Sequence, residues 1–426
     1  MIKLNCIHLA HKKNTENCPI SSIPLPENVE IPMSMNMGTS CEPIVKVGDL
    51  VKVGQIIGNS DTDFAVPVHS SVSGKVISIG HQQKSDGTNC QTIIIKCDGL
   101  QTVSDTVKPP KITNKKAFVK AVRSSGLVGL GGAGFPTHIK LNPKKKIDTL
   151  IVNGAECEPY ITSDYRTMLE HTDELIEGIS IIAKHLDAEK IIIGIEKNKP
   201  EAIRLLTEKT ASDSRFTIKS LPAVYPQGGE KVLIYNCTGK LIREKQFPAD
   251  AGVVVINVST AAALNIYLKT GMPLVNRTVT VDGDTVKKPG NYLVPIGTNI
   301  SYLLGLCECQ TEKINKLILG GPMMGLSALS LEQPVTKVTN AVLAMNKVES
   351  NRESACIHCG RCMKACPFSL MPNEIEKACK LRDSAALKRL KVNLCMNCGC
   401  CTYVCPAKRK LAETNQLAKH IMMHSK

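Results

Sequence analysis

Between Glu42 and Ile95 apolar and polar residues alternate with a period near two. The stretches Pro43-Ile-Val-Lys-Val-Gly-Asp-Leu-Val-Lys-Val-Gly-Gln-Ile-Ile-Gly and Val66-Pro-Val-His-Ser-Ser-Val-Ser-Gly-Lys-Val-Ile-Ser-Ile predict short half-buried strands, with Gly48-Asp49 as a hairpin signal. Ahead of them, Pro19, Pro24, Pro26 and Pro32 break any long element, so residues 1–40 read as irregular. A Pro109-Pro110 linker follows, and then the period lengthens. Strands at 148–153, 190–195 and 250–257 alternate with helical patterns at 166–186 and 200–209, which predicts an α/β layer. Past Asn276 the texture is β again, with a strand at Lys316–Leu319, and residues 373–392 return to helical spacing. The fold class is therefore multidomain, α/β and β. It divides into residues 1–106 (irregular start and β unit), 107–275 (α/β), 276–330 (second β unit) and 331–426 (linker and a helical, cysteine-rich unit).

Charge and composition narrow the function classes. The chain of 426 residues carries 53 Lys and Arg against 38 Asp and Glu, a formal charge of +15. Aromatics are only 3% with no Trp, which argues against a nucleic-acid reader built on stacking platforms. The Lys-rich patches, such as Lys144-Lys145-Lys146 and Lys408-Arg409-Lys410, read as solvated surface or as a face for acidic redox partners. No signal-peptide core opens the chain. The most apolar run, 251–268, is interrupted by Asn257, Ser259, Thr260 and Asn265, so it reads as a buried strand and helix rather than a membrane span. The expected location is cytoplasmic, peripheral to a membrane at most.

The most specific chemistry lies near the end. Cys356-Ile-His-Cys359-Gly-Arg-Cys362-Met-Lys-Ala-Cys366-Pro and Cys395-Met-Asn-Cys398-Gly-Cys-Cys401-Thr-Tyr-Val-Cys405-Pro both read C-x2-C-x2-C-x3-C-P. In two-cluster ferredoxins that spacing lets three thiolates wrap one 4Fe–4S cubane, while the fourth reaches the other cubane. The expected ligand sets are Cys356, Cys359, Cys362 with Cys405, and Cys395, Cys398, Cys401 with Cys366. A zinc ribbon or a disulfide framework would not need a repeated C-x3-C-P tail. Nineteen cysteines minus these eight leaves eleven, read as free thiols, with Cys307, Cys309 and Cys379 as packing residues. Cys6, His8, His11 and Cys18 fit no standard metal spacing.

A second informative stretch is Gly129-Leu-Gly131-Gly132-Ala-Gly134-Phe-Pro-Thr-His-Ile-Lys140. Glycines at this density let backbone amides approach a phosphate or a flat ring, though the spacing is not the dinucleotide G-x-G-x-x-G. Three more polar turns lie at strand ends or helix starts: Asn153-Gly-Ala-Glu156-Cys-Glu158, Tyr225-Pro-Gln-Gly-Gly-Glu230, and Asn257-Val-Ser-Thr260. In an α/β sheet such turns converge beyond the strand C-termini into one ligand crevice.

These residues resemble known families. The two β stretches of residues 42–95 resemble a biotinyl/lipoyl-type barrel-sandwich. The tip of such domains carries a modifiable Lys, and His69-Ser70-Ser71 stands there instead, which implies a structural role. The Gly129–Lys140 loop and the three polar turns are similar to the FMN and NADH segments of the flavin subunit of respiratory complex I. Residues 277–325 resemble the β-grasp (SLBB) domain that follows it. Barrel-sandwich, flavin-type α/β domain, β-grasp and two C-terminal cubanes, in that order, resemble the C subunit family of the Rnf electron-transport complex. The resemblance implies NADH as donor, FMN at Gly129, Gly131, Gly132, Gly134, Lys140, Asn153, Asn257 and Thr260, and Glu156, Glu158 and Glu230 on the nicotinamide side. It implies two 4Fe–4S clusters as relays and a redox protein as partner: other Rnf subunits, ferredoxin or flavodoxin. The family's usual Gly-Gly-x-His-Pro-Pro opening is replaced by His8-Leu-Ala-His11-Lys-Lys-Asn-Thr15, and no long extension follows the second cysteine motif. Its soluble relatives, such as the proline-reductase-associated electron transfer protein, offer the alternative of delivery to a reductase. A cluster relay without its own flavin is the non-enzymatic alternative.

Overall fold

The computed structural model describes residues 4–85, 87–347 and 352–424. At its centre are four parallel strands in the order Phe216–Leu221, Lys190–Glu196, Thr149–Gly154, Val253–Asn257. The near-continuous apolar runs of the last three are what a sheet covered on both faces requires, while the edge strand Phe216–Leu221 alternates and buries only Leu221. Leu150 and Val152 face one core with helices Thr172–Leu186 and Val258–Thr270, while Ile151 faces another with helix Glu230–Thr238. The first two helices lie so close that a Cβ on Gly178 would sit 2.2 Å from the Ala261 carbonyl oxygen. The helical pattern expected over 166–186 is two helices, Ser163–Glu170 and Thr172–Leu186. The Thr172 hydroxyl donates to the Met168 carbonyl at the break.

The barrel-sandwich closes two small sheets over Val29, Ile31, Met33, Ile57, Val68, Ile93 and Ile95. Two sequence expectations are corrected. Residues 28–32, read as irregular, form an edge strand, Asn28–Pro32, antiparallel to Asn89–Cys97; Pro32 is tolerated at the strand's end on an edge. Gly48 (φ +99°) is no hairpin turn, because Glu42–Pro43 and Leu50–Val51 belong to different sheets and the turn carries the chain between them. The tip His69-Ser70-Ser71 is buried, and the Ser71 hydroxyl donates to the Ile296 carbonyl at 2.5 Å. A wedged tip of this kind cannot swing.

The β-grasp sheet has six strands, in the order Ile20–Ser22, Gly290–Pro295, Asn276–Asp282, Ala341–Met345, Lys316–Leu319, Leu326–Ser327. Its fourth strand comes from the segment read as a linker: Ala341-Val-Leu-Ala-Met is apolar throughout and its first four residues are buried. The cysteine-rich unit packs short helices around Leu370, Ile375, Cys379, Leu387 and Ala418. Residues 373–392 are two helices, Pro372–Lys380 and Ser384–Arg389, broken where Arg382 takes φ +51° and Asp383 caps the second. Among the described residues no helix is long and apolar enough to cross a membrane.

One further element ties the units together. The segment from Asn5 to Cys18 runs as a strap over three of them. Asn5 Nδ2 donates to the Cys366 carbonyl at 3.0 Å. Ile7 and Tyr225 exchange both backbone hydrogen bonds at 2.9 Å. The ammonium of Lys13 is buried and donates to the carbonyls of Glu156, Glu158 and Ile161 at 2.8, 2.8 and 2.5 Å. Asn14 donates to Asp282 in the β-grasp sheet.

Candidate functional site

The crevice forms beyond the C-terminal ends of the parallel strands. Strand Thr149–Gly154 delivers Asn153, whose amide donates to the Gly228 carbonyl at 2.9 Å and accepts from the Ala155 amide. Strand Val253–Asn257 ends on Asn257, which caps helix Val258–Thr270 by accepting from the Thr260 amide. The Thr260 hydroxyl accepts from the Leu130 amide at 3.0 Å, which brings the Gly-rich loop onto this helix start. The loop closes on itself through Gly129 N–H to the Phe135 carbonyl. Its glycines have separate reasons. A Cβ on Gly131 would crowd Asn257 at 3.3 Å, Gly132 has φ +123°, and a Cβ on Gly134 would meet Val338 at 2.9 Å. Across the crevice the Lys140 ammonium lies 2.7 Å from a Glu230 carboxylate oxygen, both partly exposed, so the pair is screened and weak. The barrel-sandwich reaches the same place: Met37 N–H donates to the Gly134 carbonyl, and Phe64 meets Phe135 edge to face at 6.4 Å.

Two expected site residues turn elsewhere. The Glu156 carboxylate accepts from the amides of Asp164 and Tyr165 at 2.7 and 3.3 Å, at the start of helix Ser163–Glu170. Burial raises it to about 7. The Glu158 carboxylate accepts from the amides of Met323 and Met324 at 3.0 and 2.9 Å in the β-grasp unit, and burial likewise raises it to about 7. Of the three glutamates, Glu230 is the one paired across the crevice.

Several residues of the site went unread in the sequence. Arg277, on the β-grasp strand Asn276–Asp282, is buried and donates through Nη2 to the Leu130 carbonyl at 2.5 Å. Its Nε has no partner, and burial draws the guanidinium down to about 10 against the pull of Asp164 and Glu156. Asp164 accepts from Asn257 Nδ2 at 2.6 Å and from the Ser259 hydroxyl at 2.5 Å. The available signal was strand periodicity: Arg277 shares the inward face of Val279 and Val281, where a cation needs a reason.

The cysteine motifs form two cavities. One is lined by Cys366, Cys395, Cys398 and Cys401, with Cys400 beside them. The other is lined by Cys356, Cys359, Cys362 and Cys405. Each cavity thus gathers three thiols of one motif and the last thiol of the other. The knuckles match: His358 and Asn397, then Gly360 and Gly399, take positive φ at equivalent positions. Among the described residues no three Cys, His, Asp or Glu side chains converge on a single-ion site. The thiols that line each cavity form an all-thiol donor set, which suits an iron–sulfur cluster.

The first cavity is joined to the crevice. The Tyr225 hydroxyl donates to the Cys398 carbonyl at 2.7 Å. Met396, between Cys395 and Cys398, lies against Gly229, where a Cβ would come within 2.1 Å of its methyl carbon. The crevice itself suits a phosphate-bearing flat ring: a glycine cradle, a capped helix start, and buried unpartnered donors in Gln227 Nε2 and Arg277 Nε.

Comparison with known proteins gives the same four units. Family models match as the RnfC barrel sandwich hybrid domain at residues 4–100, the Nuo51 FMN-binding domain at 122–266, the SLBB domain at 278–327 and the 4Fe-4S dicluster domain at 353–409. The C subunit of the proton-translocating ferredoxin:NAD(+) oxidoreductase complex of Clostridium ljungdahlii is 42% identical over 85% of this chain and 80% of its own length. The C subunit of the Na(+)-translocating ferredoxin:NAD(+) oxidoreductase complex of Acetobacterium woodii is 41% identical over 85% and 84%. The C subunit of the ion-translocating oxidoreductase complex of Rhodobacter capsulatus is 39% identical over 86% and 72%. Among solved structures, an NAD+-reducing [NiFe]-hydrogenase chain matches with a TM-score of 0.51 at 20% identity, over 73% of this chain and 61% of that one, a likeness of fold alone.

Proposed function

The chain belongs to the C subunit family of Rnf-type ion-translocating oxidoreductase complexes, with the flavin and iron–sulfur domains of an electron-transfer subunit, and on that footing we propose that it carries electrons between NADH and a redox protein by way of FMN and two 4Fe–4S clusters. FMN, when bound, supplies the exchange between a two-electron hydride donor and one-electron carriers. The residues that would hold it are Gly129, Gly131, Gly132, Gly134, Lys140, Asn153, Asn257 and Thr260. The amides of the Gly-rich loop and the capped start of helix Val258–Thr270 favour a phosphate, and Arg277 holds the Leu130 carbonyl from behind. Glu230, paired with Lys140, is the acid left to shape the nicotinamide side.

Cys395, Cys398, Cys401 and Cys366 would hold the inner cluster. Cys356, Cys359, Cys362 and Cys405 would hold the outer one. No side chain has to act as a nucleophile; the protein positions the groups and tunes their potentials. The observation that carries this reading is the direct link from crevice to inner cavity, Tyr225 hydroxyl to Cys398 carbonyl. The partner is another subunit of an Rnf complex or a ferredoxin- or flavodoxin-type carrier. Anaerobic purification tests the reading: about eight irons and one FMN per chain, with NADH bleaching both chromophores, is the expected result. Iron without flavin would leave only a cluster relay.

A further inference from the structure

We propose that the face around the outer cluster cavity is a docking surface for an acidic one-electron carrier protein. This rests on the reading of that cavity as a cluster site. Crevice residues Tyr225 and Gly229 stand against one side of the inner cavity, whereas at the outer one Cys359 is exposed, and Ile357, the residue after the first cysteine, is 65% exposed. Met363, which also lines this cavity, is exposed as well. An apolar tip over a cluster, with polar surroundings, is the anatomy of a contact face.

The unit around it carries a positive excess. Residues 352–424 hold thirteen Lys and Arg against five Asp and Glu, so this part alone carries +8 of the chain's +15. All five acids are already engaged. Glu376 is gripped by Arg409 and Lys380, Glu353 accepts from the Lys410 amide, and Glu374 from Asn373. Asp383 caps a helix, and Glu413 accepts from Thr402. Arg361 and Lys364, three apart on helix Arg361–Ala365, are exposed, and among the described residues no ion pair engages either. These hydrogen bonds leave the carboxylates charged, so the outward field is positive because cations outnumber acids thirteen to five, an excess that two all-thiolate clusters would reduce without reversing. A positive rim around an apolar tip selects an acidic partner, and it acts mainly on encounter rate and salt dependence.

The test uses the full chain with its clusters, prepared anaerobically, and an acidic two-cluster bacterial ferredoxin as probe. Binding should weaken as salt rises from low to moderate strength. Arg361→Glu with Lys364→Glu should raise the Kd by about tenfold or more, while iron content and NADH-driven reduction of ferricyanide stay unchanged. Lys388→Glu with Lys391→Glu, at helix Ser384–Arg389 rather than within the first cysteine motif, serves as the positional control and should change binding far less. Equal losses from both pairs, or no loss from the first, would overturn the surface. Binding to phosphatidylglycerol vesicles but not to ferredoxin would replace the protein partner with a membrane and overturn it too. Flavin content and NADH bleaching, measured on the same samples, report separately on the functional reading.

Discussion

The two cysteine motifs have the same spacing, the same left-handed knuckles and opposite surroundings. The residue after the first cysteine makes the contrast: Ile357 is 65% exposed, whereas its counterpart Met396 packs against Gly229 in the crevice wall. The outer cavity meets solvent and positive charge. The inner one meets Tyr225, Gly229 and, through Met323, Glu158. The motif determines what can be bound, and the neighbours determine what the bound group can exchange electrons with.

The largest expected effect comes from breaking each set in turn. Cys398→Ser and Cys359→Ser should each lower iron from about eight to about four per chain. With Cys398→Ser, NADH should no longer reduce the remaining cluster. With Cys359→Ser, it still should, read as bleaching or by electron paramagnetic resonance. Equal behaviour of the two variants would end the distinction between inner and outer. Next in size, Arg277→Met should weaken FMN binding by about 1–3 kcal/mol, the cost of disturbing a buried charged hydrogen bond. Arg277→Lys should recover part of it, and flavin fluorescence titration reads both.

A crowding test sharpens the link itself. Gly229→Val drives a side chain into Met396 and should destabilise the junction by about 1–3 kcal/mol, seen in thermal melting, with slower NADH-driven reduction of the clusters. The smallest effect concerns pH. Glu158 is raised to about 7 by burial, so it gains negative charge as pH rises through neutrality. That charge disfavours the reduced cluster beside it. The midpoint potential of the inner cluster should therefore fall as pH rises through about 7, while that of the outer stays flatter, and Glu158→Gln should remove the difference.

Much of this was legible in the sequence for a physical reason. A repeated C-x2-C-x2-C-x3-C-P admits few chemistries, and apolar runs of strand length ending in Asn153 and Asn257 announce a crevice. What was not legible depended on partners distant in the chain. Strand Ala341–Met345 looked like linker because its neighbours in the sheet lie at 276–282 and 316–319. Glu156 and Glu158 matched the motif of a nucleotide site, yet their carboxylates found backbone amides first. The Gly48 turn carried a hairpin signal, but local turn chemistry does not say which sheet receives the next strand.

The strap at the start of the chain bears on how the molecule is made. Asn5 leaves the ribosome 361 residues ahead of the Cys366 carbonyl it will bind. At synthesis rates of about 5–20 residues per second, that is a wait of roughly 20–70 seconds. For the earlier part of that interval Lys13 has to stay hydrated, because the carbonyls that will enclose it follow it by 143 to 148 residues. The strap can close fully only on three finished units, so a segment translated early is held open until residues made long after it have found their place.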